Sequence, residues 1–368
     1  MRLMERDSGN VGIGIALSGG GFRATLFHMG TLWRINEMGM LPSLSAISAV
    51  SGGSLVAGLL GIRWERLRFQ NDVATHFAEE VAEPTLSFCR VNVDLKSILL
   101  GFLAGSSTLE GFYEKHLVGK TTLQDLPDYP EFIFNAYHLE TGRNWRFSKA
   151  RTHTWRIGDI KRPTTPMKKV LAASTAFPPW LPPVRLRMNP EEFEESEFAD
   201  HFQEPRLRTR VTLGDGGVYD NLGFHPLREM KDILVSNGSS PLHVETMSKW
   251  KFWVDRAIRP LGAALEQTRA LRINALMSDL TGGRKSGALW MISTDPTRYT
   301  ADNPFDIAEG WPETLGRIRT RLSRFTEEEQ KRLVNWGYIQ ADLAIRSYYR
   351  PEIEPPDRLP FPEYGFDV

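Results

Sequence analysis

Ile47-Ser48-Ala49-Val50-Ser51-Gly52-Gly53-Ser54-Leu55-Val56-Ala57-Gly58-Leu59-Leu60 is the stretch on which the reading of this chain turns. An apolar run ends on a serine and two glycines, then passes directly into a second apolar run, as a buried strand, a sharp turn and a buried helix would. A serine at such a turn keeps its Oγ exposed only if its neighbours are small, and Ala49, Gly52 and Gly53 meet that need. The following helix aims its positive end back at the turn, where negative charge would develop during nucleophilic attack. Ser51 is the candidate nucleophile, because neither Ser48 nor Ser54 has a glycine two residues later. By itself the stretch from Ile47 to Ser54 also reads as a Ser-Gly-rich turn without chemistry, so its company in the chain must decide.

Upstream, Val11 to Leu17 reads as a short buried strand running into Ser18-Gly19-Gly20-Gly21-Phe22-Arg23. Ala24 to Met38 is apolar almost all round and stops at Gly39 before Pro42, the pattern of a buried helix with a glycine stop. Together with the Ser51 segment this is a βαβα opening, which predicts a parallel sheet. Successive glycines at a helix start let backbone N–H groups point into one cavity, so Gly19-Gly20-Gly21 suits an anion or a transient oxyanion. The nucleotide-binding alternative would want a further glycine at position 24, which is Ala24. Gly119-Lys120-Thr121 imitates the end of a P-loop, but Glu114 stands where its first glycine should be.

Downstream, Val211-Thr212-Leu213 gives a strand that leads into Gly214-Asp215-Gly216-Gly217. A carboxylate there reads as a metal ligand, a turn cap or a base; as a base it must be partly desolvated and reach the serine directly. None of the eight histidines lies in a convincing loop after a late strand, and His225 alone is kept in reserve as a partner. A two-residue mechanism thus needs fewer assumptions than a triad.

Between and beyond these turns the chain is less informative. Leu86 to Phe112, centred on Ile98, Leu99, Leu100, Phe102 and Leu103, reads either as an apolar covering segment or as a core helix. Phe132 to Leu139 and Trp145 to Phe147 read as adjacent strands, and Lys169 to Ala176 as a short helix ending in a stiff Pro-rich turn. Arg185 to Arg210, with its acidic run from Glu191 to Asp200, reads as a solvated insertion. After Val244 the pattern is helical apart from a strand at Ala288 to Ser293, and a last helix from Glu327 to about Tyr348 is announced by the capping box Thr326 and Glu329.

Composition limits the functions open to the chain. The 368 residues are 41% hydrophobic and 24% charged, with 45 basic and 45 acidic side chains, so no basic surface calls for nucleic acid. The single cysteine, Cys89, excludes an intrachain disulfide and fits a reducing compartment. No His/Cys cluster calls for a metal, and no cofactor is expected. The start has no apolar leader, and no apolar stretch approaches the roughly 18 residues of a spanning helix. The expectation is a cytoplasmic protein, with any membrane contact made peripherally from the surface.

Taken together, the Ser18 to Ala24 loop, the Ser51 turn and Gly214-Asp215-Gly216-Gly217 resemble the oxyanion motif, nucleophile elbow and Asp-Gly-Gly motif of the patatin-like phospholipases. Gly-Gly-Gly-Phe-Arg-Ala and Val-Ser-Gly-Gly-Ser are closest to the branch similar to cytosolic phospholipases. Ala173-Ser174-Thr175-Ala176-Phe177-Pro178-Pro179 is similar to a structural stretch before the aspartate in that family. The resemblance covers roughly residues 11 to 225; it departs at Ala49 and Ala24, both small replacements for glycine. It implies an α/β fold of three layers, a mainly parallel central sheet flanked by helices, with additional C-terminal helices. Residues 1–245 would form the catalytic domain and 246–368 a mostly helical extension packed on it. It also implies a lipid acyl hydrolase of the phospholipase A or lysophospholipase type, acting on lipid or phospholipid at a membrane surface. Ser51 and Asp215 would form the dyad, Gly19, Gly20, Gly21 and Gly52 the oxyanion hole, and Arg23, Gly53, Gly214, Gly216 and Gly217 its support. Arg23 would brace the loop or meet a phosphate head group. The alternative is a non-catalytic lipid-binding or scaffold protein of the same fold.

Overall fold

The computed structural model describes residues 12–92, 106–242, 253–320 and 322–367. Its first five strands are β1 (Ile13–Leu17), β2 (Leu44–Val50), a two-residue ribbon of β3 (Phe69–Gln70) with β4 (Val73–Ala74), and β5 (Glu131–His138). They are followed by β6 (Arg143–Phe147), β7 (Arg151–Thr154), β8 (Gly158–Lys161), β9 (Val184–Arg187), β10 (Arg210–Asp215), β11 (Asp232–Asn237) and β12 (Ser286–Met291). The main sheet runs β12-β11-β1-β2-β5-β6-β7-β8, parallel from β12 to β5 and antiparallel from β5 onward.

Residue alternation along the central strands creates the layers. Ile15, Leu17, Ile47, Ala49, Phe132 and Phe134 join one core, shared with Leu26 and Phe27 of α1 (Gly21–Glu37) and Leu55 of α2 (Gly52–Arg63). Ala16, Ala46 and Ile133 join a second core on the other face, with Ile233 and Val235 of β11. There Leu276 of the long helix α8 (Trp253–Thr281) covers the sheet. Side chains at successive strand positions point to opposite faces, so a sheet with apolar residues at both must be covered on both. The result is a sheet covered on both faces, the three layers that the family resemblance implies, built on the parallel strands that the βαβα opening predicts.

The C-terminal part completes this body. Strand β12 adds the outermost parallel strand. Helix α10 (Glu327–Tyr348), started by the Thr326 and Glu329 capping box, lies so close to α1 that a methyl group on Gly30 or Gly337 would collide with the other helix's backbone. Among the described residues no helix is long and apolar enough to cross a membrane.

Several sequence readings need correction. Arg185 to Arg210 is not wholly a solvated insertion: β9 pairs antiparallel with β10, with Val184 and Leu186 buried, and a short helix α6 (Pro205–Thr209) leads into β10. Strands β7, β8 and β11 escape the pattern reading. The first two are four residues long and largely polar, and β11 has only three consecutive apolar residues, Ile233 to Val235, too few to show a period. In the Leu86 to Phe112 stretch, Leu86, Phe88, Cys89 and Leu109 belong to the core, flanked by α3 (Glu83–Cys89) and α4 (Ser107–Tyr113). The covering-segment reading at Ile98 to Leu103 lies outside the described residues.

Strand β5 positions the site. Its first half pairs with β2 in parallel, ending at Val50 opposite Asn135. Its second half pairs on the vacated edge with β10, antiparallel, with Asp215 opposite Ala136. The two strands therefore approach one edge of β5 head-on, and their C-terminal residues face consecutive positions of it.

Candidate active site

Ser51 follows β2 directly and precedes α2, with φ 50° and ψ −118°. A side chain in that region is strained by about 1–3 kcal/mol and persists only where the surroundings hold it. Here the restraint is explicit. The Ser51 N–H donates to Ser174 Oγ at 3.0 Å, and Ser174 donates in turn to the Asn135 carbonyl at 2.7 Å. Ser174 Oγ also lies 2.8 Å from Ser54 Oγ. It belongs to α5 (Met167–Thr175), which ends in the Ala-Ser-Thr-Ala segment. One residue further, the Ala176 carbonyl accepts from the Asp215 N–H at 2.9 Å. The same short segment thus holds the serine turn and the aspartate.

Asp215 is 2% exposed, and its carboxylate accepts from the Gly217 N–H at 2.7 Å, with the Ser51 hydroxyl near enough to favour its ionised form. Burial pushes its pKa up to about 7, with both of these groups working against the rise. It therefore changes charge near neutrality. Gly216 lets this turn lie against β5, since a methyl group there would strike the Asn135 carbonyl.

The glycine loop closes over the serine from the other side. A methyl group on Gly19 would come 3.2 Å from Ser51 Cβ, and one on Gly52 would collide with the Gly21 backbone. Gly20 and Gly21 have φ 140° and 58°, a region that favours glycine. Gly19, expected among the oxyanion donors, and Gly53, expected as support, both have their N–H groups engaged within the protein. The Gly19 N–H donates to the Asn221 carbonyl at 2.9 Å and the Gly53 N–H to the Ser18 carbonyl at 3.2 Å, so both donors are already used. Behind the loop, His28 Nε2 donates to the Ser18 carbonyl at 2.9 Å while Nδ1 accepts from Ser236 Oγ at 2.8 Å. Burial holds this imidazole neutral by lowering its pKa to about 3.

Arg23 is buried in the first turn of α1. Its Nη1 donates to the carbonyls of Gly316 at 2.6 Å and Ile318 at 2.8 Å, and its Nε to that of Gly238 at 3.3 Å. These are brace contacts, and they draw the segment after α9 (Trp311–Gly316) across the loop until the Thr320 carbonyl rests on Gly21. His225, held in reserve as a base, has its Nδ1 2.9 Å from Arg146 Nη2, and its N–H donates to Asp220 Oδ2 at 2.7 Å. Its part is to fasten the turn after Asp220. The Gly119-Lys120-Thr121 imitation of a P-loop follows a helical turn, Glu114–Val118, not a strand.

Sequence reasoning did not pick out Asn135, Tyr113 or Asn221, and it took Ser174 only as part of a structural stretch. Tyr113 donates to or accepts from Thr175 Oγ1 at 2.9 Å, close enough to Asp215 for that carboxylate to raise its pKa further above the effect of burial. Contacts between such distant positions leave no periodic signal. With Ser51 8% exposed, the site is closed. The cleft of about 450 Å³ lined by Arg34, Glu37, Tyr338 and Arg358 lies at the far end of α1 from the glycine loop. Among the described residues no group of three or more His, Cys, Asp or Glu side chains is placed to hold a metal ion.

Comparison with known proteins follows the same outline. A family model described as patatin-like phospholipase matches residues 15–228, from β1 to just beyond the Asp215 turn. No match was found among curated proteins. Among solved structures, human GIVD cytosolic phospholipase A2 is similar at 13% identity and TM-score 0.50, over 90% of this chain and 58% of that one. Its complex with methyl gamma-linolenyl fluorophosphonate and terbium chloride is similar at 14% identity and TM-score 0.50, over 92% and 58%. VipD from Legionella pneumophila is matched at 13% identity and TM-score 0.39, over 90% and 66%. The chain thus spans little more than half the length of the human structures, and at these identities the likeness concerns the fold.

Proposed function

The chain belongs to the patatin-like phospholipase family, and from that premise we propose that it hydrolyses acyl esters of lipids with Ser51 as nucleophile and Asp215 as its base. The observation that carries this reading is the convergence of the Ser51 turn and buried Asp215, whose strands end against the neighbouring residues Asn135 and Ala136 of β5. Residues 1–245 would carry the chemistry, with 246–368 completing the fold around it.

In the proposed reaction the Asp215 carboxylate takes the hydroxyl proton as Ser51 Oγ attacks the ester carbonyl. The tetrahedral oxyanion receives N–H groups of Gly20, Gly21 and Gly52, with the start of α2 adding its dipole. Collapse expels the alcohol, which takes the proton from Asp215, and leaves an acyl-Ser51 ester. Water, giving a proton to the same carboxylate, then attacks the acyl carbonyl, and Asp215 returns that proton to Ser51 Oγ as the fatty acid leaves. Gly19, Gly53, Gly214, Gly216 and Gly217 support this by allowing close backbone approach, and Arg23 by bracing the loop. The substrate class rests on the family; a lipid at a membrane surface is the partner this chemistry needs, and a cytoplasmic setting fits the single buried thiol.

The test is hydrolysis of p-nitrophenyl esters of graded chain length and then of phospholipid vesicles by the full chain, with Ser51→Ala as control. Turnover that disappears in the variant is the expected result. Vesicle binding without any turnover above the Ser51→Ala background would favour the non-catalytic lipid-binding protein instead.

A further inference from the structure

We infer that Asn221 is a positioning residue of this site, locking the glycine loop to the Asp215 turn through its main chain and its side chain at once. The inference rests on the proposed dyad and deepens it. Its main-chain carbonyl accepts the Gly19 N–H at 2.9 Å. Its side-chain Oδ1 fills the gap between the two turns: a methyl group on Gly19 would collide with it, and one on Gly217 would come 2.7 Å from it. The same imagined methyl on Gly217 would lie 3.0 Å from Asp215 Oδ1, and that on Gly19 3.2 Å from Ser51 Cβ. The side-chain amide of Asn221 therefore stands where the glycine loop, Ser51 and Asp215 converge.

The backbone on either side of Asn221 is fixed independently. Buried Asp220 accepts from the N–H groups of Leu222 at 3.2 Å and His225 at 2.7 Å. From α8, Arg272 donates to the Tyr219 carbonyl at 2.6 Å and pairs with Asp220 at 3.4 Å. The short helix α7 (Gly217–Asp220) then delivers Asn221 to the loop at a set distance from Asp215. A spacer here has to be small enough to lie between two backbones and yet uncharged, because a second carboxylate beside Asp215 would oppose its ionisation. An amide satisfies both conditions.

Two variants separate this role from simple packing. Asn221→Asp places a like charge beside Asp215, so the pH midpoint of Ser51 labelling by an alkyl fluorophosphonate, read by intact mass, should rise by about one unit or more. Asn221→Ala keeps the midpoint and slows labelling and kcat by about tenfold or more, with KM changed much less, because the loop loses its spacing from the base. Asn221→Ser is carried in parallel, so that a misfolded variant leaves a rate comparison standing. Melting curves identify any such variant. A wild-type midpoint in a folded Asn221→Asp overturns the inference, as do wild-type rates in folded Asn221→Ala or Asn221→Ser. Wild-type protein that neither labels nor turns over would instead sink the proposed dyad, which keeps the two failures distinct.

Discussion

Ser51 and Asp215 are brought together because β2 and β10 end head-on against neighbouring residues of β5, Asn135 and Ala136. Two residues 164 positions apart in sequence numbering (215 minus 51) thus become partners through the register of a third strand. If they act as a unit, Ser51→Ala and Asp215→Asn should each lower ester turnover by roughly a thousandfold or more, and the double variant should be no slower than the worse single. Turnover measured for all four proteins checks this; losses that multiply would mean the residues act separately.

The raised pKa of Asp215 sets two opposite pH dependences. As a base it must be ionised, so kcat/KM should climb with pH through about 7 and level off above it. Stability should run the other way. An unfolded aspartate loses its proton near 3.9, whereas the folded one keeps it to about 7, so the folded state binds more protons between these values and stability falls as pH rises across them. The Asp215→Asn variant, neutral throughout, should gain over wild type across this window, with a plateau above pH 7 on the order of 4 kcal/mol at most, and should match it below pH 4. Melting temperatures of both proteins from pH 4 to 8 measure the difference, and parallel curves would contradict the buried, protonated carboxyl.

Ser174 is the pin of the serine turn. Ser174→Ala would leave the Ser51 N–H and the Asn135 carbonyl without their partner, at a cost of about 1–3 kcal/mol. Because the strained Ser51 backbone would then be free to relax, kcat should fall by about tenfold or more while KM changes little. Steady-state kinetics together with denaturant unfolding test both halves; a stable variant with normal kcat would show that the pin is dispensable.

Arg23 separates bracing from head-group recognition. Its guanidinium reaches three main-chain carbonyls in a buried position, a fork that the single ammonium of lysine does not reproduce. Arg23→Lys should lower the melting temperature and reduce hydrolysis of a short soluble ester and of phospholipid vesicles in equal proportion. A loss confined to phospholipid would assign the guanidinium to a phosphate instead.

How much of this was legible in the chain follows from the range of the forces involved. The three glycine-rich turns each stand at the end of an apolar run, and what makes them turns is local: absent Cβ atoms, a helix that begins at once, and, in the first two, positive φ at Gly20, Gly21 and Ser51. The last helix declares itself in the same way, through Thr326 and Glu329 three residues apart. Strand β11, between β12 and β1 in the parallel half of the sheet, escapes the pattern because three apolar residues carry no period.

Sequence by itself therefore determined the candidate serine and aspartate, the glycine loop and the parallel opening of the sheet, since each depends on neighbours within a few residues. Tertiary structure alone decided the rest. It showed that Gly19 spends its N–H on Asn221, that Ser174 holds Ser51, and that Arg23 faces carbonyls rather than solvent. Above all it set the charge behaviour of Asp215, because desolvation depends on everything packed around a carboxyl and on nothing that its sequence neighbours specify.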